Sequence, residues 1–232
     1  MLSVLHEDEY LLAVAKPRGM ACIRLRDSDS ETVSDLVVRH CRACGYASPD
    51  IRDGGLVQRL DFWTSGAIVA AKDAQTWQRL RKALQAEQVS KTYLALVEGV
   101  PKKKNFVVNV AFSVSKGKKK VRIAKGRESK TLPARTSVEL VAAGTKWSIV
   151  RATMCRGRRH QVRAHLASAG YPLIGDNQYG SSVSLSTLLP KCDSGFLLHA
   201  ETITLLHPVS GRKLFIKAPS NEFVELRKKI RA

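Results

Sequence analysis

The sequence predicts an α+β fold, because short apolar strands are interleaved irregularly with a few amphipathic helices. A regular succession of strand and helix would instead indicate an α/β protein with a parallel sheet. Hydrophobic residues make up 44% of the 232 residues, which is enough for a substantial core and excludes a wholly disordered chain. The length suits one large domain, or one domain with an additional lobe.

The predicted strands are short apolar or alternating runs that are bounded by turn residues. They cover residues 11–15, 67–71, 92–97, 107–112, 138–141, 147–153, 202–206 and 214–217. The predicted helices are longer and carry apolar residues at helical spacing, as Trp77, Leu80 and Leu84 do in the second of them. They cover residues 32–44, 74–88, 160–169 and 221–230.

The first predicted helix contains a Cys-x-x-Cys pair, Cys41 and Cys44, next to His40. This invites a zinc hypothesis, but no second Cys-x-x-Cys pair accompanies the first. A capping box formed by Thr32 and Asp35 would begin the helix, and Gly45 would end it. Both cysteines then lie on the apolar face, so core packing is favoured over metal binding. The five cysteines form no even framework, which indicates a reducing compartment.

One carboxylate, Asp61, stands between Arg59 and a tight Thr-Ser-Gly turn in the segment 57–73, VQRLDFWTSGAIVAAKD. The apolar run that follows predicts a buried strand. Asp61 would therefore lie at the mouth of a core element, where a carboxylate can be held rigidly. The local pattern alone is equally compatible with a surface aspartate that pairs with Arg59.

Five segments, taken in their order along the chain, resemble motifs of the RluA-type RNA pseudouridine synthases. The segment 57–73 is similar to their pattern HRLDxxTSGLLVLAK, with Gln58 where histidine is usual. The others are VLHEDEYLLAVAKPRGM (4–20), KTYLALVEG (91–99), RGRRHQVRAHLASAGYPLIGDNQYG (156–180) and FLLHAETITLLHPVSGRKLFIKAP (196–219). The resemblance implies a pseudouridine synthase catalytic fold: a long, mostly antiparallel, bent sheet with flanking helices and a central active-site cleft. We expect a single catalytic domain over 1–232, with no S4 domain.

The resemblance also implies the reaction, which detaches uracil N1 from ribose C1′, rotates the base and rejoins it through C5. This isomerisation needs no cofactor, and we expect none. By resemblance Asp61 is the catalytic carboxylate, Tyr93 stacks under the target base and assists proton transfer, and Arg163 is the ion-pair partner of Asp61. The residues expected to bind substrate are Arg59, Gln58, Thr64, Arg158, His160 and Leu198, with Leu197 as the alternative to Leu198. No metal site is expected.

The charge of the chain indicates a nucleic-acid partner. Lys and Arg number 39 against 20 Asp and Glu, so the net charge is +19. The segment 101–135 is a basic, glycine-containing loop whose expected role is to follow the RNA backbone. The residues of this loop that are expected to contact RNA phosphates are Lys116, Lys118, Lys119, Lys120, Arg122 and Lys125. A solvated charged loop is the alternative.

The expected partner is RNA, with ribosomal RNA preferred over transfer RNA and a ribosomal particle or assembly intermediate as a further partner. Membrane association is not expected, since no apolar run has spanning length. The compartment is open between the cytoplasm and an organelle, including a mitochondrion if a targeting segment has been removed. Two other functions compete with the pseudouridine synthase hypothesis. One is a catalytically retired relative that binds RNA or assists ribosome assembly, and the other is a different RNA-modifying chemistry such as methyl transfer, which would need a cofactor loop.

Overall fold

The computed structural model describes residues 2–26, 30–113, 120–124 and 131–231. The chain divides into two compact units. The first unit comprises Met1–Lys91 and His199–Pro219, and the second comprises Thr92–Leu198 and Ser220–Ala232. Within the described ranges, no helix is long and apolar enough to cross a membrane.

Strands and helices of both units confirm the α+β class. The strands are β1 (Ser3–Glu7), β2 (Leu11–Lys16), β3 (Thr64–Ala71), β4 (Ser90–Glu98), β5 (Asn105–Asn109), β6 (Phe112–Ser113), β7 (Thr131–Leu132), β8 (Arg135–Ala143), β9 (Trp147–Met154), β10 (Leu198–Leu206) and β11 (Lys213–Lys217). The helices are α1 (Val33–His40), α2 (Ala74–Gln85), α3 (Gln161–Ser168) and α4 (Asn221–Arg231).

The first unit is built on a sheet in which β2 pairs with β1 and β3, and β10 lies between β3 and β11. The β1–β2, β2–β3 and β10–β11 pairs are antiparallel. Strands β2 and β3 are buried on both faces. One face packs against Leu80 of α2, and the other packs against Val33 and Val37 of α1. Burial on both faces explains why these strands are continuously apolar and do not alternate.

The second unit has the strand order β4-β9-β8-β5, in which β8 pairs antiparallel with β9 and with β5. Leu94 and Leu96 of β4 pack against Phe223 and Leu226 of α4 in its main core. Residues 161–166 of α3 are all buried, and His165 of this helix lies 2.8 Å from the hydroxyl of Thr136 on β8. This contact fixes α3 to the sheet and so places the helix that carries Arg163.

Several predicted element ends are wrong, and the structure shows a physical cause for two of them. The capping box of Thr32 and Asp35 is confirmed, but the helix ends at His40 because Cys41 adopts an extended conformation with φ −135° and ψ 100°. A 3₁₀ helix, Arg42–Tyr46, replaces the predicted last turn, so Gly45 does not end α1. Cys44 is fully buried in the core, which confirms its predicted packing role.

The predicted strand over 107–112 is interrupted after Asn109. The carbonyl of Val110 lies 3.0 Å from Nε2 of His165, and the carbonyl of Ala111 accepts a hydrogen bond from the amide of Ala124. Both carbonyls are therefore taken by partners outside the sheet, and the chain leaves β8 at this point.

Strands β3 and β10 approach so closely at Gly66 that no side chain fits. Gly66 has φ +112°, and a Cβ built there would lie 2.3 Å from the carbonyl oxygen of Ala200. Any L-residue at position 66 would therefore meet backbone that cannot move aside, as well as a disfavoured φ.

We predict that Gly66→Ala destabilises the protein by about 3 kcal/mol or more, because it combines strain with a backbone clash. Gly211→Ala is the matched control, since Gly211 also has positive φ (+69°) but nothing within 4 Å of its Cβ position. Its cost should be about 1 kcal/mol. Urea unfolding of both variants measures the difference, and equal costs would show that the contact with Ala200 is unimportant.

Candidate active site

Asp61 lies in a turn that leads directly into the buried strand β3. The amide of Thr64 donates to the carbonyl of Asp61 over 3.0 Å, which closes the turn. Asp61 is half-buried, whereas Thr64 is 2% exposed. The carboxylate thus lies at the start of a core strand, where buried backbone meets solvent. The predicted Thr-Ser-Gly turn is wrong, because Thr64, Ser65 and Gly66 are the first residues of β3, and the turn lies before them at Phe62 and Trp63.

A buried lysine holds this turn in place. Lys16, the last residue of β2, is 2% exposed, and its ammonium donates to the carbonyls of Pro17 (2.9 Å) and Phe62 (3.0 Å). The amide of Gly19 donates to the same Phe62 carbonyl over 3.0 Å. The turn after β2 and the turn that contains Asp61 are therefore bonded to each other.

The charge of Lys16 lies within electrostatic reach of Asp61. Burial lowers the pKa of Lys16 to about 8, and electrostatic interactions with Cys22 and Asp61 oppose that shift. Lys16 was not among the site residues predicted from the sequence. The available signal was a lysine at the end of an otherwise apolar strand, since a charged residue in such a position needs specific partners.

Thr64 carries a buried hydroxyl group that lacks a hydrogen-bond partner among the described residues. Most buried polar groups in proteins have a partner, and an exception often marks a functional position. Gln58 is half-buried and Arg59 is exposed just before the Asp61 turn. All three predicted substrate-binding residues of the first unit therefore lie within three positions of Asp61.

In the second unit, Arg163 on α3 forms a buried ion pair with Asp176. Its Nε donates to Oδ2 of Asp176 over 2.7 Å and its Nη2 to Oδ1 over 2.9 Å, with the side chains 7% and 2% exposed. The same Nη2 donates to Oε1 of Gln178 over 2.8 Å. The guanidinium also lies 4.3 Å from the ring centroid of Phe196 and 4.9 Å from that of Tyr179. These contacts fix the position of Arg163.

Sequence analysis missed Asp176, although the residue stands within the quoted segment 156–180. It missed Asp176 because a buried bidentate pair between a helix and a later turn leaves no periodic pattern in the sequence. The predicted ion pair between Arg163 and Asp61 joins residues of different units and stays a prediction.

The loop before α3 is braced by contacts within the second unit. His160 adopts a left-handed conformation with φ 54°, and its Nδ1 lies 3.0 Å from the hydroxyl of Tyr179. The amide of Arg158 donates to the side chain of Gln161 over 2.9 Å. The ammonium of Lys120 lies 5.1 Å from the ring centroid of Tyr179. Tyr179 therefore connects the predicted RNA-contacting loop with the helix that carries Arg163.

The remaining predicted site residues lie in or next to strands, in an exposed loop, or outside the described residues. Tyr93 in β4 is 9% exposed, Leu198 at the start of β10 is 4% exposed and the neighbouring Leu197 is 1% exposed. Arg122 is exposed. Lys116, Lys118, Lys119 and Lys125 lie outside the described residues.

Comparison with known proteins identifies similar sequences and folds. Residues 10–168 match the family described as RNA pseudouridylate synthase. An uncharacterised RNA pseudouridine synthase of Synechocystis is 32% identical over 94% of this chain and 65% of its own length. The ribosomal large subunit pseudouridine synthase D of Zymomonas mobilis is 28% identical over 97% of this chain and 71% of its own. The chain thus spans about two thirds of the length of these relatives.

A solved structure shares the fold. Human RNA pseudouridylate synthase domain containing 4 superposes with a TM-score of 0.74, at 23% identity, over 99% of this chain and 93% of the human one. At this identity the likeness concerns the fold and not the substrate.

We predict that Arg163→Met destabilises the protein by about 3–5 kcal/mol, because Asp176 would stay buried without its cation. Adding Asp176→Asn to Arg163→Met should recover part of that loss, so the double variant should be more stable than the sum of the single effects implies. Chemical unfolding at neutral pH measures all three variants. Additive costs would contradict the pairing.

The control is the pair formed by Arg151 and Glu139 across β8 and β9, whose side chains are 31% and 45% exposed. Its removal should cost no more than about 1 kcal/mol, because exposed ion pairs contribute little.

Proposed function

The chain belongs to the RNA pseudouridylate synthase family, and on that basis we propose that it isomerises specific uridines of RNA to pseudouridine. The observation that carries this proposal is the position of Asp61 on a braced turn at the mouth of β3, within the segment that matches the family. A catalytic carboxylate must be held in a fixed position beside the reacting carbon, and the bonds around Asp61 supply that rigidity.

The proposed chemistry takes place at one uridine. The bond between ribose C1′ and uracil N1 breaks, the base rotates, and a bond forms between C1′ and C5, while the proton of C5 is lost and one is gained at N1. Asp61 acts at C1′, as a nucleophile or as a stabiliser of developing positive charge. Tyr93 stacks under the base and assists the proton transfer. Leu198 closes the apolar side of the uracil pocket.

Arg163 has a positioning role in this proposal. Its ion pair with Asp176 and its contacts with Phe196 and Tyr179 hold the guanidinium still. We propose that this guanidinium also pairs with Asp61 and holds that carboxylate in position. A cation that is already fixed loses little rotamer freedom when it forms a further bond.

The target uridine must leave its stack to reach Asp61, so the proposed substrate is an RNA loop, bulge or locally melted segment. Arg59 is exposed two residues before Asp61 and would occupy the gap that the flipped base leaves. Gln58, Thr64, Arg158 and His160 complete the proposed substrate contacts. Ribosomal RNA is the proposed substrate class, supported by the named activity of the Zymomonas relative. Transfer RNA is the alternative.

The proposed partners beyond the substrate RNA are a ribosomal particle or an assembly intermediate. All five cysteines are free thiols, which supports a reducing compartment. Net charge +19 supports a polyanionic partner.

We predict that Asp61→Asn lowers isomerisation by about 1000-fold or more while the fold stays intact, because an amide is nearly isosteric but uncharged. The control is Asp53→Asn, which changes another half-buried aspartate of the first unit and should leave turnover unchanged. Chemical mapping of pseudouridine in RNA treated with the purified proteins measures both. Appreciable turnover by Asp61→Asn would exclude the proposed mechanism.

The basic segment 101–135 should govern affinity and not the choice of uridine. Replacing Lys118, Lys119 and Lys120 by glutamine should flatten the slope of log affinity against log salt by about 2, if each contacts one phosphate of flexible RNA. The control variant replaces the exposed Arg212, Lys213 and Lys228 and should leave the slope nearly unchanged. Unchanged salt dependence, combined with modification of different uridines, would contradict this assignment.

A further inference from the structure

An aromatic side chain is presented to solvent directly beside the candidate catalytic carboxylate. Phe62 follows Asp61 in the chain, and 49% of its surface is exposed. Single exposed apolar residues are common and need no explanation on their own. Phe62 differs because the surrounding structure holds both its backbone and its ring.

The backbone of Phe62 is fixed by two hydrogen bonds. Its carbonyl accepts from the buried ammonium of Lys16 and from the amide of Gly19, each over 3.0 Å. The ring stands edge to face against Trp63, with centroids 4.9 Å apart and planes at 85°. The hydrogen bonds that hold the turn of Asp61 thus also fix the backbone of Phe62, and Trp63 packs against its ring.

Trp63 is in turn contacted by residues of the turn after β2. The guanidinium of Arg18 lies 4.6 Å from the centroid of the Trp63 ring. Gly19 has φ +76°, and a Cβ at this position would lie 3.3 Å from the Trp63 ring, so the absence of a side chain lets the ring pack closely against the turn. Phe62, Trp63 and Arg18 together form an aromatic platform with one associated cation.

We propose that this platform binds an RNA nucleotide that neighbours the target uridine. The base of this neighbouring nucleotide stacks on Phe62. Single-stranded nucleic acids are bound by aromatic rings that stack on bases, together with cations that attract the backbone. When the uridine flips towards Asp61, its neighbour loses a stacking partner. Arg59 would fill the gap inside the stack, whereas Phe62, one residue from Asp61, stacks on a neighbouring base that has also left the stack and so holds the strand in the flipped conformation. The inference rests on the proposed function for the identity of the flipped base.

The test measures binding without catalysis. Asp61→Asn protein is titrated with a hairpin RNA whose loop holds one uridine among adenosines, and Phe62→Ala is then added to that background. We expect affinity to fall by roughly 5- to 100-fold, the effect of losing one base–aromatic stack. Phe62→Tyr should retain the affinity of the parent, because it keeps the ring. Thermal unfolding should show no loss of stability in either variant.

A matched control and a modified RNA make the test specific. Phe215 on β11 is 65% exposed, and Phe215→Ala should leave affinity unchanged. The same hairpin is also prepared with an abasic nucleotide at each loop position in turn. One abasic position, adjacent to the uridine, should weaken binding by the parent but have no further effect on Phe62→Ala, which identifies the stacked base.

The inference is overturned if Phe62→Ala binds as the parent does, if Phe215→Ala loses as much affinity, or if every abasic hairpin weakens both proteins equally. These outcomes are independent of the proposed activity. If the wild-type protein isomerises no uridine but Phe62 couples to one loop position, the stacking platform stands and the activity does not. If isomerisation occurs without any coupling, the activity stands and the platform does not.

Discussion

The buried ammonium of Lys16 is the interaction on which the candidate site depends. It bonds the carbonyls of Pro17 and Phe62 and thereby joins the turn after β2 to the turn that contains Asp61. Burial of a lysine is costly, and its lowered pKa shows that cost. Two backbone acceptors and the nearby Asp61 charge offset it. The protein thus uses a destabilised cation to hold the carboxylate and the adjacent Phe62 in fixed positions.

The second unit also contains a buried cation that is held by several groups. Arg163 is bonded to Asp176 and Gln178 and packed against Phe196 and Tyr179. In each unit a buried cation is therefore held in position by groups of the protein itself. Charged groups that are already held in place need not reorganise during a reaction. Enzymes owe a large part of their rate enhancement to such preorganised groups. Removing these charges from water costs free energy, and this cost lowers the stability of the folded protein.

The sequence predicted the buried runs of β2, β3 and β4, because these runs are continuously apolar, but its pattern did not predict the exposed strand β1. It predicted element ends less well, since the early end of α1 and the break after Asn109 depend on partners distant in the chain. Asp61, Tyr93 and Arg163 were predicted as site residues through motif resemblance alone. Lys16 and Asp176 were missed because their roles come from burial and pairing, which a linear pattern does not show.

Site-resolved mapping of pseudouridine in cellular RNA, with and without this protein, tests the central claim most directly. The account predicts that one or a few uridines lose modification when the protein is absent and regain it when the wild-type chain is restored. Those uridines should lie in loops or other weakly paired segments, because the base must flip to reach Asp61. Identical maps in both cells, with the protein still bound to a defined RNA, would contradict the account and favour a retired RNA-binding relative.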